Sequence, residues 1–374
     1  MKKFISSVVF AACSMTMFAQ FSGDGYYRVQ NVGSKRYVCV EDDKGSINVS
    51  ATSVEMGAVV LWKKFERVVS NPASIIYIKK VGTDTDYDLY AQGTSTYGII
   101  GYHVDVYPSP KTAGAYRVYG SQAGMTKWLC DGERSSVPDG ALSDNDQGKT
   151  NYSDWYMLPL SQDDERFFGI TPDVEVNGKY YAAFYADFPF SFASSGMKAY
   201  YVSATTGAGL AKMEEITGTI PAATPVIIEC SSDEPANNKL NIFASDATAP
   251  TNNMLKGVYF CNTTIKHKNL TPYNAETMRV LGKMSDGSLG FVTASIENLP
   301  ANKSYLSVSA HLPAEIKLLT AKDFSAGVSG VGADRKAVTG IYTTTGVKIS
   351  DDASQLNTLQ RGIYIVDGQK VIIR

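Results

Sequence analysis

This sequence has few histidines, a small net charge and no familiar catalytic motif. Among its 374 residues there are three histidines, none with cysteine or acidic neighbours at the spacing of a zinc site. The formal net charge is −2, which leaves no basic field for a phosphate backbone. A Gly-x-Ser-x-Gly elbow, a phosphate-binding loop and a dinucleotide fingerprint are absent. We therefore expect no metal, no cofactor, no catalytic residues and no nucleic-acid partner.

Long apolar runs are also rare, and the main one is at the N-terminus. Lys2 and Lys3 precede an apolar stretch that ends at Phe18, which is typical of a secretory signal peptide covering residues 1–19. The stretch is shorter than the roughly 20 residues that span a bilayer, so we expect no integral membrane protein. The sequence thus predicts an exported chain, secreted or attached to the outer surface. A lipoprotein cleavage site before Cys13 is the alternative.

Cysteine is sparse as well. Removal of the signal peptide leaves Cys39, Cys130, Cys230 and Cys261. An exported protein can oxidise such residues, and Cys230–Cys261 is the pair that shares one segment. Buried thiols are the alternative, which the apolar surroundings of Cys39 and Cys130 favour.

Residues typical of β-strands are abundant. The chain has 23 tyrosines and 32 glycines, many short runs of valine, threonine and serine, and few helical patterns. These features predict an all-β protein, and the length suggests two or three domains.

A strand–turn–strand unit recurs every ~40–50 residues in the first predicted domain, residues 20–161. It begins at Tyr27, Ile76 and Tyr116. A later aromatic strand follows in the first and third copies, around Trp62 and Trp155. Three such units closing one barrel form a β-trefoil, in which closure removes exposed strand edges.

This layout resembles the ricin-type lectin family. The resemblance implies a β-trefoil-like barrel and carbohydrate binding. The family's Gln-x-Trp signature is absent, because Val60 and Ser153 occupy the glutamine position before Trp62 and Trp155. We expect both of these tryptophans to lie in the barrel core.

Trp128 and Asp131 are the candidate ligand-binding residues. An aromatic face can stack on a sugar ring, and a carboxylate can accept hydrogen bonds from sugar hydroxyl groups. Trp128 aligns with Tyr37 in the repeat, so burial of its side chain is the alternative.

Two acidic clusters, residues 84–88 and 144–148, suggest calcium loops. Neither fits the twelve-residue pattern, because Leu89 stands at the glycine position of the first and no glutamate closes the second. We interpret both clusters as solvated turns.

The second predicted domain covers residues 162–326, after a polar junction at residues 162–166 across which we expect few contacts. A β-sandwich or an incomplete barrel is expected, with prolines at strand entrances. Five segments of this domain resemble a module that precedes a C-terminal sorting domain in secreted surface proteins of Bacteroidota. These segments are residues 197–202, 220–228, 280–283, 289–292 and 299–306.

A linker, residues 327–337, leads to a small C-terminal β module, residues 338–374. Its pattern of short β-rich runs, with Thr345-Gly346 and Asp367-Gly368 turns and a Gly-Ile-Tyr-Ile-Val strand, resembles the C-terminal sorting domain of type IX secretion in Bacteroidota. The resemblance implies an export machinery as partner of the tail. A last β-hairpin of the preceding domain is the alternative.

Two classes of function follow. The first is a non-catalytic, exported, cell-surface binding or adhesion protein whose partner is a glycan or a host or surface protein. The alternative is a secreted hydrolase, acting on a glycan or a peptide, or an inhibitor. Two facing carboxylates in a pocket would favour hydrolysis, and shallow aromatic patches would favour binding.

Overall fold

The computed structural model describes most of the chain from residue 21 onward. The described residues are 21, 23–40, 60–63, 68–82, 85–93, 98–122, 125–129, 131, 151–162, 166–261, 269–325, 340–344, 347–350, 352–366 and 369–373. The predicted signal peptide, the linker and the 144–148 cluster lie outside them. Strands hold 47% of the residues and helices 7%, so the all-β prediction is confirmed.

Nine strands occupy the first predicted domain. They are β1 Gly25–Asn31, β2 Tyr37–Val40, β3 Val60–Lys63, β4 Ile76–Lys80, β5 Asp86–Ala91, β6 Gly98–Pro108, β7 Tyr116–Gln122, β8 Met125–Trp128 and β9 Trp155–Pro159. Six of them close a barrel in the order β1-β4-β5-β6-β7-β9, and β9 pairs back onto β1. The hairpin partners β2 and β3 extend from β1, and β8 extends from β7.

The three predicted repeat starts are three strands of this barrel, β1, β4 and β7. The units pair differently, however. In the first unit β2 and β3 lie outside the ring, whereas in the second β5 and β6 both belong to it. The six-stranded barrel is therefore established, and the threefold trefoil arrangement remains a proposal.

Alternating side chains of β1 serve two cores. Tyr27 and Val29 point into the barrel, while Tyr26 packs on the other face with the second region, as the two-residue period of a strand requires. Trp155 is fully buried in the barrel core, as predicted, and its indole Nε1 donates to the Leu129 carbonyl oxygen at 3.0 Å.

Thirteen strands occupy the second region. They are β10 Phe168–Gly169, β11 Val174–Val176, β12 Lys179–Phe184, β13 Phe190–Phe192, β14 Lys198–Thr205, β15 Leu210–Ile216, β16 Val226–Cys230, β17 Lys239–Ile242, β18 Leu255–Val258, β19 Met278–Lys283, β20 Leu289–Val292, β21 Lys303–Ser307 and β22 Glu315–Thr320. Ten form one curled sheet, β11-β12-β16-β14-β15-β22-β20-β19-β21-β18, and β10-β17-β13 form a small sheet. The curled sheet fits the incomplete barrel better than the β-sandwich.

The barrel and the curled sheet share apolar packing. Phe260 from the second region lies in the barrel core, and Tyr26, Ile75 and Tyr77 lie in the core beneath the curled sheet. The Gly169 amide also donates to the Val69 carbonyl oxygen at 3.0 Å. The expectation of few contacts across the junction was wrong, because apolar side chains far apart in sequence meet there.

The C-terminal module is a separate four-stranded sheet in the order β24-β23-β25-β26. Its strands are β23 Ile341–Thr343, β24 Lys348–Ser350, β25 Gly362–Val366 and β26 Gln369–Ile373. Short helical segments are few in the described chain: Pro72–Ser74, Asn151–Ser153, Pro235–Asn237, Ala353–Thr358 and residues 321–325.

Candidate functional site

Trp128 and Asp131 lie at one end of the barrel. Trp128 ends β8 and pairs with Tyr119 of β7. Three residues later, the Asp131 amide donates to the Tyr152 carbonyl oxygen at 2.9 Å. The structure thus brings the two backbone positions to the same edge, while the Trp128 side chain lies outside the described residues.

The Asp131 carboxylate is fully buried and holds an arginine. Arg36 donates to it through Nε at 2.8 Å and through Nη2, which gives a two-pronged ion pair. The Ser34 hydroxyl donates to the same carboxylate. Asp131 therefore has a structural partner, and its role toward a ligand stays a prediction.

The turn before Arg36 explains how this pair forms. Asn31, at the end of β1, accepts from the amides of Gly33 at 2.9 Å and Ser34 at 3.0 Å, and its Nδ2 donates to the Tyr152 carbonyl oxygen at 2.7 Å. An asparagine side chain that accepts a hydrogen bond from the backbone amide two residues later stabilises a turn. The turn thus returns the chain so that Arg36 meets Asp131.

Arg36 is the functional candidate that sequence reasoning missed. Its side chain is 21% exposed, and Nε and Nη2 are engaged by Asp131. Its Nη1 donates to no residue in the described chain, so those N–H groups remain able to bind a hydroxyl or an anionic group. The only sequence signal was an arginine between a turn and the apolar strand β2.

A second buried carboxylate, Asp154, is paired in the same manner. Arg117 Nε donates to Oδ1 at 2.8 Å, and the hydroxyls of Ser109 and Thr112 each donate to Oδ2 at 2.8 Å. Burial alone would raise the pKa of Asp154, but these bonds outweigh it and lower the pKa below its usual value. This network joins β7, the turn after β6 and the start of β9, so its evident role is structural.

The other sequence candidates are placed as follows. Within the 84–88 cluster, Asp88 accepts from the Tyr90 hydroxyl at 2.8 Å. Among the residues that the structure describes, no group of three metal-ligating side chains could hold an ion. No helix in the same part of the chain is long and apolar enough to cross a membrane.

Cys230 is a buried free thiol at the end of β16. Its Sγ donates weakly to the Ile228 carbonyl oxygen at 3.9 Å. The structure therefore does not contain the Cys230–Cys261 disulfide, and the buried-thiol alternative is confirmed for Cys230.

The barrel end thus consists of a buried carboxylate, a partly exposed arginine that it orients, and a neighbouring tryptophan position. No protein-family model matches the chain, and no curated protein is found to be similar to it.

Proposed function

We propose that this chain is an exported, non-catalytic binding protein of the cell surface, and that the barrel end around Arg36 takes a glycan. The observation that carries the proposal is the Asp131–Arg36 pair. The buried carboxylate fixes the guanidinium, so a ligand that meets the outer Nη1 encounters an already ordered donor.

In this proposal Arg36 replaces Asp131 as the polar residue that contacts the ligand. Arg36 donates hydrogen bonds to ligand hydroxyls, Trp128 offers an aromatic face for a sugar ring, and Asp131 positions Arg36. A site of one arginine and one aromatic ring makes few contacts with a sugar. Because the binding free energy per ligand atom is limited, we expect a dissociation constant of roughly micromolar to millimolar per site. Useful binding then depends on several copies at a surface.

A glycan array probed with the multimerised chain from residue 20 tests the proposal. We expect binding that falls at least about tenfold in Trp128→Ala and in Arg36→Lys, because lysine cannot make the two-pronged bond to Asp131. Arg361→Ala, which removes an exposed arginine from the C-terminal module, is the matched control and should bind as the parent does. Absence of any bound glycan, or binding untouched by both substitutions, would contradict it.

The trefoil character of the barrel and the sorting role of residues 338–374 belong to the same proposal. The closed six-stranded barrel and the separate terminal sheet support them. Fractionation of the native cells with an antibody tests export. Intact protein that retains Met1 in the cytosol would contradict it.

A further inference from the structure

Gly93 and Asp187 form a tight contact between the barrel and the second region. Gly93 follows β5, and Asp187 lies between β12 and β13. A Cβ atom built on Gly93 would lie 2.2 Å from the Asp187 carbonyl oxygen and 2.5 Å from its Oδ2. Only glycine fits here, so the Asp187 carboxyl rests directly against the barrel backbone.

Two buried donors beside this contact have no partner in the described chain. The Gln92 side chain is fully buried, and its Oε1 accepts from Asn302 Nδ2 at 2.8 Å, which fixes the amide orientation. Its Nε2 then donates to nothing, and neither does the buried Tyr26 hydroxyl. Uncompensated buried polar groups are costly, so this junction is poorly satisfied as it is packed.

The Asp187 carboxyl itself receives no hydrogen bond or ion pair from the residues described. Burial raises its pKa to about 6, since removal from water disfavours the charged form. The titratable groups near it are Tyr26 and, behind Tyr26, Tyr77, whose own neighbour is Asp24. Burial raises the pKa of both tyrosines, so both hydroxyls stay neutral while Asp187 titrates.

We propose that the Gly93–Asp187 contact is a pH-sensitive latch: protonated Asp187 holds the barrel against the curled sheet, and ionised Asp187 loosens that packing. Loosening exposes the half-buried carboxylate fully to water, and it also hydrates the two idle donors, Gln92 Nε2 and Tyr26 Oη. It also weakens the two nearby bonds across the junction, from Asn302 to Gln92 and from the Tyr259 hydroxyl to the Ala91 carbonyl oxygen.

The direction with pH follows from linkage. The pKa of Asp187 in the docked arrangement is above the usual aspartate value, so the docked arrangement binds more protons between about pH 4 and 6. Docking is therefore strongest below about pH 4, weakens as the pH rises through that window and levels off above about pH 6, because Asp187 is then fully ionised in both arrangements.

Hydrogen exchange of the Gly169 amide, which bonds to Val69 across the junction, reports docking in the whole mature chain. We expect its protection factor, corrected for the intrinsic rate, to fall by about tenfold between pH 5 and 7.5. Asp187→Asn, a neutral isostere, should keep high protection throughout. Gly93→Ala should give low protection throughout, because its methyl group separates the two backbones.

Asp286→Asn is the matched control, since that exposed carboxylate on the curled sheet bonds to Lys317 instead; it should retain the wild-type profile. A flat wild-type profile, or an Asp187→Asn variant with unchanged pH dependence, would overturn the proposal. Direct NMR titration of the wild-type carboxyl covers the case of a variant that does not fold. A pKa near 4 for Asp187 would likewise overturn it, and a pKa near 6 would support it.

Discussion

Arg117 donates through Nε to Asp154 Oδ1 at 2.8 Å, and the Asp154 side chain is fully buried. Removing one partner of such a pair leaves a buried charge without compensation. We expect Arg117→Ala to lower the free energy of unfolding by about 3 kcal/mol, measured by urea denaturation. Lys198→Ala is the control, because Lys198 forms an exposed pair with Glu215 at 3.6 Å, and should cost less than about 1 kcal/mol. Equal costs in the two variants would contradict this ranking.

Asp154 should also make the stability of the barrel decrease at acidic pH. Its pKa is lowered in the folded state, so the stabilisation is complete above the usual aspartate pKa and disappears as the pH falls through the lower folded value. We expect the melting temperature to drop below about pH 4 in the parent chain. The drop should be smaller in Asp154→Asn, and an identical acid profile in both would exclude this role.

Gly257 in β18 lies under an aromatic ring. A Cβ atom there would meet Tyr185 Cδ2 at 2.2 Å, whereas a Cβ on Gly207 would meet nothing within 4 Å. We expect Gly257→Ala to destabilise the chain by about 1–3 kcal/mol through displacement of Tyr185. Gly207→Ala should change stability by less than about 0.5 kcal/mol. Thermal denaturation of both variants checks the pair, and a neutral Gly257→Ala would show that Tyr185 moves without cost.

Cys230 should be chemically inert in the folded protein. Burial, with a further contribution from Asp173, raises the pKa of its thiol to about 12, and the thiolate is the reactive form. We expect iodoacetamide at pH 8 to leave Cys230 unmodified until denaturant is added, as read by peptide mass spectrometry. A peptide linked through Cys230 to Cys261 would contradict the structure.

The terminal sheet should be dispensable for the rest of the fold. Its four strands bond only to one another among the described strand pairs. Deletion of residues 338–374 should therefore leave the main melting temperature within about 2 °C of that of the parent chain. Such a shift corresponds to a change in the free energy of unfolding on the order of a few tenths of a kcal/mol. Loss of that transition would show that the tail completes a core, as the alternative of a final hairpin requires.

The sequence predicted those parts of the fold that depend on local pattern. The all-β class and the burial of Trp155 in the barrel core both follow from short β-rich runs and aromatic content.

The parts that were missed depend on contacts distant in sequence. Arg36 meets Asp131 across 95 residues, and Phe260 enters the core of a barrel whose last strand ends at Pro159. Composition and periodicity do not indicate contacts between residues that are so far apart in sequence. The same reason explains why the sequence did not indicate that Arg36 pairs with the Asp131 carboxylate.

The return of β9 to β1 also bears on how the chain folds. Tyr27 pairs with Pro159, so the ring cannot close until more than a hundred residues have been ordered, and its core further requires Phe260. Contacts of such high sequence separation slow folding, because loop-closure entropy is lost before the contacts form. A chain emerging from its N-terminus therefore carries an open β1 edge until β9, which ends at Pro159, has appeared. Stalled or truncated forms that end before β9 keep that edge exposed, and they are the species from which aggregation will start.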